Sequence, residues 1–360
     1  MRRIYWGNLA FEQELIEPEI VLPADVARRI AEMTASWLAV ADEGDGLYCP
    51  GQVPEVFWER MQSLGLPAVV PLQREEAIQQ LGSCELVPWG WSQPMRQRAA
   101  SAQSIPDPQA VRRVNSRRFS VGLEQEWECG LAGATWVGSV EECQQAVARL
   151  KSETWVLKAD FGQAGRETFR GRGEQLPPTG LNWLARRLRQ GQGAVLEPWV
   201  QIETEVGMQW SVSPTGEISW EGGTWLHSTS RGGYEGTSVP QDQTAFAEQW
   251  ADVLAVQRAA LERVVAAGYF GPVGIDAVRC RDREGSRRVR PMQDLNARWT
   301  MGRLALGFAE RLGQGQGGTW NVGGVPPAEA VVTAPEELDG VLTTVRSWWI
   351  SGDRVTPSSG

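Results

Sequence analysis

Apolar residues along the chain alternate between short runs, which are typical of strands, and the three-to-four-residue spacing of amphipathic helices. In the N-terminal part the runs IYW, WLAVA and PAVVPL are separated by helical patterns such as PADVARRIAEMTASWL and PEVFWERMQSLG. Such alternation indicates an α/β layer. We therefore predict a small α/β domain over residues 1–105, and the polar, proline-containing stretch SAQSIPDPQAVRRVNSRRFS marks its boundary.

The pattern over residues 106–192 predicts a second, central subdomain. VEECQQAVARL predicts a helix and TWVLKA a strand, and the loop DFGQAGRE follows that strand. TGLNWLARRLRQG predicts a helix that begins after Thr179 as its N-cap and ends at Gly191. The run AVLEPWV predicts the next strand.

Two hairpins dominate residues 193–312, which we assign to a larger C-terminal subdomain. TEVGMQWSVS and EISWEGGTWLH flank the turn PTG, and GPVGIDAVRC and RRVRPMQDLN flank the polar turn RDREG. A single long helix is predicted between the hairpins, over residues 244–267. Residues 313–360 are rich in glycine and proline, so we expect a looser extension in which VLTTVRSWWI alone packs back.

Composition and charge narrow the class of protein. The 360 residues are 42% hydrophobic and 22% charged, which is typical of a globular chain. The net charge of -9 disfavours nucleic acid as a partner, because phosphate backbones are bound by basic surface. No apolar run reaches the length of about 18 residues that a membrane span needs. The five cysteines are scattered without a C-x-x-C pair, which favours reduced thiols and a cytoplasmic protein.

Several catalytic motifs are excluded. The chain has one histidine, His227, so H-E-x-x-H zinc chemistry cannot occur, and its place beside W-L at a strand end favours a structural imidazole. The sequence contains neither a G-x-x-x-x-G-K-[ST] phosphate loop nor a G-x-G-x-x-G dinucleotide motif. Of its 35 basic residues only Lys151 and Lys158 are lysines. A compact ammonium group is thus used sparingly, which draws attention to both lysines.

The second hairpin predicts a metal site. Asp276 and Asp294 lie equally far from Gly285, the midpoint of its turn, so symmetric antiparallel pairing places them opposite each other. Asn296 follows Asp294 by two residues and shares its face. Facing carboxylates repel unless a cation lies between them, and these oxygen ligands suit Mg²⁺. The alternative is two exposed acids on a solvated hairpin whose register differs by one pair.

Basic residues near both loops offer contacts to an anion. Arg298 and Arg303 follow Asn296 and would bring guanidinium groups near the metal, although they could equally be ordinary surface arginines. Lys158 ends a predicted strand before DFGQAGR, where Gly162 and Gly165 would let backbone N–H groups approach a phosphate. A short glycine turn would have the same sequence.

The order of these segments resembles the ATP-grasp superfamily of carboxylate–amine and carboxylate–thiol ligases, which includes biotin carboxylase and carbamoyl-phosphate synthetase. The resemblance covers residues 110–310. It implies an α/β protein in which an α+β ATP-grasp fold is preceded by a small α/β pre-ATP-grasp domain, with ATP held between the central and C-terminal subdomains.

The resemblance also implies how the nucleotide is bound. VNSRRF offers Arg117 or Arg118 as the family's early basic residue, and VLKADFGQAGRE matches its V-x-K strand and glycine-rich flap. AVLEPWV is similar to the adenine-binding hinge, and a later glutamate resembles the ribose-binding acid. The implied nucleotide-binding residues are Arg117, Lys158, Gly162, Gly165, Glu197, Trp199, Val200 and Glu205.

GYFGPVGIDAV and QDLNAR resemble the family's G-x-x-x-x-D strand and E-x-N-x-R metal motif. They imply Asp276, Asp294 and Asn296 as ligands of Mg²⁺, with Mn²⁺ as an alternative. Arg298 would face the transferring phosphate, and Arg303 would stabilise the developing charge with it. Asp294 stands where the family usually has Glu, which leaves open whether one or two ions bind.

The implied activity is ATP-dependent ligation of a carboxylate to an amine through an acylphosphate, with release of ADP and phosphate. The alternatives are an ATP-grasp kinase or carboxylase, or a nucleotide-binding regulatory protein without turnover. The expected partners are small-molecule or peptide carboxylates and amines, and homo-oligomers are left open. HSTSRGGYEGT corresponds to a region that shapes the acceptor site in relatives, so Arg231 is a candidate substrate ligand, with a mobile surface loop as the alternative.

Overall fold

The computed structural model describes residues 3–73, 84–150, 153–162, 167–229, 233–282 and 284–352. Its N-terminal domain is a parallel sheet in the order β3-β2-β1-β4, which confirms the predicted α/β layer. Parallel neighbours require crossover connections, and helices form them here. The elements are β1 (Arg3–Trp6), α1 (Phe11–Ile16), α2 (Ala24–Glu32), a 3-10 helix (Thr34–Ala39), β2 (Gly46–Tyr48), α3 (Glu55–Ser63), β3 (Val70–Leu72), β4 (Glu85–Pro88) and α4 (Gln93–Arg98).

The central subdomain contains an antiparallel sheet in the order β5-β8-β6-β7. Its elements are α5 (Pro108–Val114), α6 (Arg117–Glu126), β5 (Thr135–Val137), α7 (Val140–Leu150), β6 (Thr154–Ala159), β7 (Thr168–Arg172), α8 (Pro178–Arg189) and β8 (Ala194–Pro198). The bounds of α7 and β6 are those predicted. The predicted N-cap Thr179 is wrong, because α8 is capped at Pro177 and starts at Pro178. Proline suits the first helical position, where an N–H has no intrahelical partner.

The C-terminal subdomain is built on an eight-stranded sheet in the order β13-β12-β9-β10-β11-β14-β18-β15. Its elements are β9 (Gln201–Val212), β10 (Ile218–Ser228), β11 (Tyr234–Val239), α9 (Gln243–Gln249), α10 (Ala251–Ala266), β12 (Gly271–Arg281), β13 (Arg287–Asn296), α11 (Met301–Leu312), β14 (Gly318–Val322), β15 (Val331–Val332), β16 (Glu337–Leu338), β17 (Val341–Leu342) and β18 (Ser347–Ser351). Both predicted hairpins are confirmed, since β9 pairs with β10 and β12 with β13.

The helix predicted over 244–267 is instead two helices. Trp250 separates α9 from α10 with φ -117° and ψ 21°, outside the helical range. Its ring is buried against those of Phe246 and Trp225, at centroid distances of 6.4 and 6.2 Å. We attribute the break to this packing, because the apolar spacing of the sequence continues through it.

The described part of the C-terminal extension is not a loose tail. β14 and β18 pair over five residues each and lengthen the large sheet, and Trp320 and Trp349 on these strands are fully buried. The buried Glu32 carboxylate of α2 accepts hydrogen bonds from the backbone N–H groups of Thr344 and Val345, at 3.0 and 2.8 Å. The extension thus joins the C-terminal sheet to the N-terminal domain.

The clusters of buried residues do not coincide with the three consecutive segments of the chain. The central subdomain has its own core, in which Trp155, Leu157 and Leu196 are fully buried. The N-terminal domain and the C-terminal subdomain share one continuous cluster of buried residues. The central subdomain is therefore the unit most independently packed. Within the described residues, the structure contains no helix with the length and apolar character of a membrane span.

The second hairpin has the predicted pairing at the site, with Asp276 opposite Asp294. The register near the turn differs, because Val278 pairs with Arg290 and Arg281 with Arg287. Between the two registers β13 carries extra residues, including Pro291, which has no N–H for the ladder. The turn is centred one residue before Gly285. The extra residues of β13 compensate for that shift, so that Asp276 still lies opposite Asp294. The predicted pairing is correct, but symmetry about Gly285 is not its cause.

Candidate nucleotide and metal site

Several of the predicted residues meet where the central sheet lies next to the large C-terminal sheet, and we call this junction the cleft. Two ion pairs cross it: Arg117 at the start of α6 to Asp294 on β13, at 2.9 Å, and Arg290 on β13 to Glu197 on β8, at 2.7 Å. These contacts join residues that are up to 177 positions apart in the chain. These two ion pairs therefore connect the central subdomain to β13 of the C-terminal subdomain.

Lys158 lies on β6 beside the predicted hinge strand. Its Nζ is 2.7 Å from Glu197 Oε2, while Arg290 Nη2 donates to the other oxygen of Glu197 and to Glu124, each at 2.7 Å. Burial would raise the pKa of Glu197, but the charges of Arg290 and Lys158 lower it to about 2. Glu197 is therefore an ionised, buried carboxylate that positions the Lys158 ammonium.

Of the two arginines in VNSRRF, Arg117 is the one that reaches the cleft. Besides its ion pair with Asp294, it donates hydrogen bonds to the carbonyl oxygens of Ala159, at 2.7 Å, and Gly162, at 3.3 Å. Arg117 therefore connects β13, which carries two of the predicted metal ligands, to the start of the glycine-rich loop. Arg118 instead lies over the Trp136 ring, 4.4 Å from its centroid.

The metal candidates lie on one face of β12 and β13. Asp276 faces Asp294, and its carboxylate has no hydrogen-bond or ion-pair partner among the described residues. Burial raises its pKa well above the ordinary value, and the carboxylates of Asp294 and Glu205 raise it further. The cost of burying such a carboxylate next to other acids is reduced when it takes up a proton or when a cation binds beside it.

The donor set fits one hard divalent cation. Two carboxylates and an amide oxygen are ligands that Mg²⁺ accepts. Two of these groups are already engaged, since Asp294 pairs with Arg117 and the Asn296 oxygen accepts from Arg298 at 2.9 Å. Across the described ranges, no three Asp, Glu, His or Cys side chains form a group that could hold a metal. An ion here would therefore depend on the amide of Asn296 as well as both aspartates.

Arg298 is held by a residue that sequence reasoning missed. Its Nε donates to Glu12 Oε1 at 2.5 Å, its Nη2 to Asn296, and its Nη1 to the Trp299 carbonyl at 2.9 Å. Glu12 comes from α1 of the N-terminal domain and is buried. Its place in FEQELI resembles any amphipathic helix, so only the tertiary contact identifies it.

Arg303 lies apart from the metal candidates. Its Nη2 pairs with Glu221 on β10 at 3.0 Å. Arg298 and Arg303 both line a crevice of about 1230 Å³ between β4 of the N-terminal domain and the C-terminal subdomain. Trp89, Trp91 and Trp299 supply aromatic surface to the same crevice.

The hinge residues have mixed exposure. The Trp199 N–H donates to the Thr154 carbonyl at 3.0 Å, and its ring is 43% exposed beneath the Arg170 guanidinium, 3.8 Å from the ring centroid. Val200 follows it, half-buried. Glu205 on β9 accepts a hydrogen bond from Ser228 at 3.2 Å, and burial raises its pKa while Lys158 opposes that rise.

The remaining residues singled out in the sequence are Gly165, Arg231 and His227. Gly165 and Arg231 lie outside the described residues. His227 Nε2 is 2.6 Å from Ser238 Oγ, which in turn is 2.7 Å from Thr319 Oγ1. Burial lowers the pKa of His227, so the neutral imidazole is favoured. This agrees with a structural histidine within the sheet.

Solved ATP-grasp structures share the fold of nearly the whole chain. N5-carboxyaminoimidazole synthetase from Staphylococcus aureus, complexed with ADP, has a TM-score of 0.56 and 11% identity, covering 98% of this chain and 93% of that chain. The biotin carboxylase domain of Hydrogenobacter thermophilus 2-oxoglutarate carboxylase, in complex with MgADP, ADP and bicarbonate, has 0.55 and 12%, covering 97% and 85%. N5-carboxyaminoimidazole ribonucleotide synthetase from Thermus thermophilus has 0.53 and 13%, covering 97% and 93%.

The chain therefore has the ATP-grasp fold, and the predicted fold class is confirmed. The likeness includes the N-terminal domain and the C-terminal extension as well as the two ATP-grasp subdomains, since the coverage is nearly complete. No protein-family model and no curated protein sequence matches the chain.

Proposed function

We propose that the protein is an ATP-dependent ligase that joins a carboxylate to an amine through an acylphosphate. The observation that carries the proposal is the unpartnered carboxylate of Asp276, which faces Asp294 in a cleft whose other wall presents Lys158 and Arg117. Asp276 is thus an acid without a cation, and the two cations near it are paired with Asp294 and Glu197. A magnesium–nucleoside triphosphate complex supplies a cation to Asp276 and phosphate oxygens to the two basic groups.

In this proposal, different residues of the cleft bind different parts of the nucleotide. Lys158 and Arg117 neutralise phosphate oxygens, and Gly162 and Gly165 are the glycines whose backbone N–H groups would approach them. Trp199 and Val200 bind adenine, Glu197 supports this hinge by holding Lys158 in place, and Glu205 binds the ribose. Asp276, Asp294 and Asn296 would hold Mg²⁺, or Mn²⁺ in its place, and the ion would supply charge neutralisation at the phosphates.

The reaction has two balanced steps. A carboxylate oxygen attacks the γ-phosphorus and the bond to the β-phosphate oxygen breaks, which gives ADP and an acylphosphate. The amine nitrogen then attacks the acyl carbon, inorganic phosphate leaves, and the amine loses a proton. Arg298, fixed by Glu12 and Asn296, stabilises the negative charge that develops during both steps.

We place the acceptor substrates in the crevice that Arg298 and Arg303 line, because it opens beside the phosphate-facing guanidinium. Arg231 would contribute from the acceptor loop. The substrates are small molecules or peptides, and the enzyme is cytoplasmic. The five cysteines are unpaired, which supports a reducing compartment.

The acylphosphate gives the decisive test. Hydroxylamine intercepts a mixed anhydride, so the protein with Mg-ATP and a pool of carboxylates should form a hydroxamate and ADP. Arg298→Ala should depress the hydroxamate yield, since removing one preorganised donor costs about 2.7–4 kcal/mol of transition-state stabilisation. Arg258→Ala, on the exposed side of α10, is the matched control.

The other readings predict other products. A kinase acting on a hydroxyl would give a stable phosphate ester and no hydroxamate. A carboxylase would release ADP only with bicarbonate. A regulatory protein would bind Mg-ATP and release no ADP with any carboxylate, amine or alcohol. Any of these three results would overturn the ligase proposal.

A further inference from the structure

A second cavity, of about 750 Å³, lies between the first turns of α6 and α7, the end of β6 and the segment that leads into β8. None of the residues placed in the candidate nucleotide and metal site lines it, although Asp160 and Phe161 belong to the segment that leads into the glycine-rich loop. Its walls include Arg113, Arg118, Trp136, Asp160 and Gln192. We call it the arginine cavity.

Two arginines of this cavity differ from those of the nucleotide cleft because they form no ion pair with a described residue. Arg117, Arg290 and Arg298 each pair with a carboxylate. Within the described ranges, neither Arg113 nor Arg118 has such a partner, and both are exposed at the wall. The Arg118 guanidinium lies 4.4 Å from the Trp136 ring centroid, a cation–π contact that orients it without neutralising it.

The acids and helix ends around the cavity are largely satisfied already. Asp160 accepts hydrogen bonds from the Ser116 hydroxyl, at 2.7 Å, and the Arg118 N–H, at 3.3 Å, and so caps α6. At α7, Glu142 Oε2 accepts from the Gly138 N–H at 2.7 Å. Glu141 is the other acid on the wall. The helix N-termini therefore do not define the site, and neither the Arg113 guanidinium nor that of Arg118 is in direct contact with an acid of the wall.

Two polar atoms in the wall also lack partners. Gln192 is 5% exposed, and its side-chain oxygen is buried with no hydrogen bond. The indole N–H of Trp136 is buried in the same condition. Buried polar groups are normally hydrogen-bonded, so a ligand that reaches these two atoms would give each of them the partner it lacks.

We propose that the arginine cavity binds a small hydroxylated oxyanion, a carboxylate or phosphate that carries at least one hydroxyl group. The oxyanion pairs with Arg113 and Arg118, the hydroxyl donates to Gln192, and Trp136 donates to a remaining ligand oxygen. This binding is independent of the proposed ligase activity, because none of the four residues belongs to the nucleotide or metal site.

Calorimetric titration of the full chain, without nucleotide or divalent metal, tests the proposal. Malate and glycerol 3-phosphate are the carboxylate and phosphate probes, and succinate is malate without its hydroxyl. At least one hydroxylated probe should bind. Arg113→Gln combined with Arg118→Gln should weaken that binding by about a hundredfold, since a hydrogen bond to a charged group typically accounts for at least a tenfold change. If malate binds, succinate should bind more weakly, and equal binding of the two would overturn the contact between the ligand hydroxyl and Gln192.

Two variants locate the bound probe. Arg258→Gln removes the same charge from an exposed position on α10 and should leave binding unchanged. Lys158→Ala should also leave it unchanged, whereas a probe seated in the nucleotide cleft would be lost. Circular dichroism checks that the double variant is folded. The proposal is overturned if neither hydroxylated probe binds, if the double variant binds as tightly as the unaltered chain, or if Lys158→Ala abolishes binding.

Discussion

Arg117 Nη2 and Asp294 Oδ2 lie 2.9 Å apart, across the cleft between the central and C-terminal subdomains. Both side chains have a second role in the proposed site, since Arg117 would meet a phosphate and Asp294 a metal ion. The pair therefore neutralises two binding groups against each other. Mg-ATP, which carries both charges, can replace this contact with two new ones.

This exchange predicts opposite effects of Arg117→Gln on the two ligands. Asp294 loses its guanidinium partner, so Mg²⁺ or Mn²⁺ should bind more tightly in the absence of nucleotide. ATP should bind more weakly, because a charge-assisted contact contributes about 1.5–3 kcal/mol. Calorimetric titrations with metal alone and with Mg-ATP measure the two effects separately.

Arg118→Gln is the matched control for this prediction. It removes the neighbouring charge, which stacks on Trp136 and does not contact Asp294. Metal binding without nucleotide should be the same as in the unaltered chain. Weaker metal binding in Arg117→Gln would show that the arginine supports the ion site and does not compete with it.

A second prediction concerns Lys158. Lys158→Ala should reduce ATP affinity by at least about tenfold, because its Nζ is held by Glu197 of the hinge strand and would make a charge-assisted contact with a phosphate. Lys151→Ala changes the chain's other lysine, which does not precede the glycine-rich loop. Equal ATP affinities of the two variants would remove Lys158 from the nucleotide site.

The third prediction concerns Asp294 as a metal ligand. Asp294→Asn and Asn296→Ala should each abolish Mg²⁺-dependent ADP release, since Mg²⁺ tolerates little change in its oxygen ligands. Asp294→Glu restores the residue usual in the superfamily and should retain turnover. Steady-state ADP assays over a range of Mg²⁺ concentrations distinguish these outcomes.

Asp282→Asn, at the turn of the same hairpin, is the control and should be as active as the unaltered chain. Unchanged ADP release in Asp294→Asn would mean that the metal ligands lie elsewhere in the cleft.

Local patterns predicted most elements of the fold. The helix at 140–150 and the strand at 154–159 have the expected bounds, because each has the clear period of its own secondary structure. The break at Trp250 could not be predicted, since we attribute it to packing that includes a ring from another element, Trp225 on β10. The strands after residue 317 were obscured by the glycines and prolines that connect them.

The candidate site, like the fold, could be predicted only where the local sequence determines it. Asp276 and Asp294 could be paired from spacing within one hairpin, although an offset near Pro291 helped. Glu12, Glu124 and Arg290 contribute through contacts between distant segments, and their local sequences are ordinary. A charged residue at a buried strand position, as Arg290 is, would have been a signal only if the burial of β13 had been known.

The fourth prediction concerns the stability that the Lys158–Glu197–Arg290 network provides. Glu197→Gln keeps the size of the side chain but removes the charge between two cations. Breaking a buried ion pair in this way costs about 3–5 kcal/mol, so the free energy of unfolding at neutral pH should fall by that order. Glu203→Gln is the control, because its pairs with Arg281 and Arg287 lie nearer the surface and contribute at most about 1 kcal/mol.

The pH dependence of that loss follows from the depressed pKa of Glu197. The group titrates at about 2 in the folded chain, and near about 4.3 when unfolded. Its stabilisation is therefore complete above the unfolded value and disappears as the pH falls toward the folded value. The difference in unfolding free energy between the unaltered chain and Glu197→Gln, measured by urea denaturation, should be constant near neutrality and shrink below a pH of about 4. A difference that stays constant down to the acid limit of the folded protein would show that Glu197 does not carry its charge in this network.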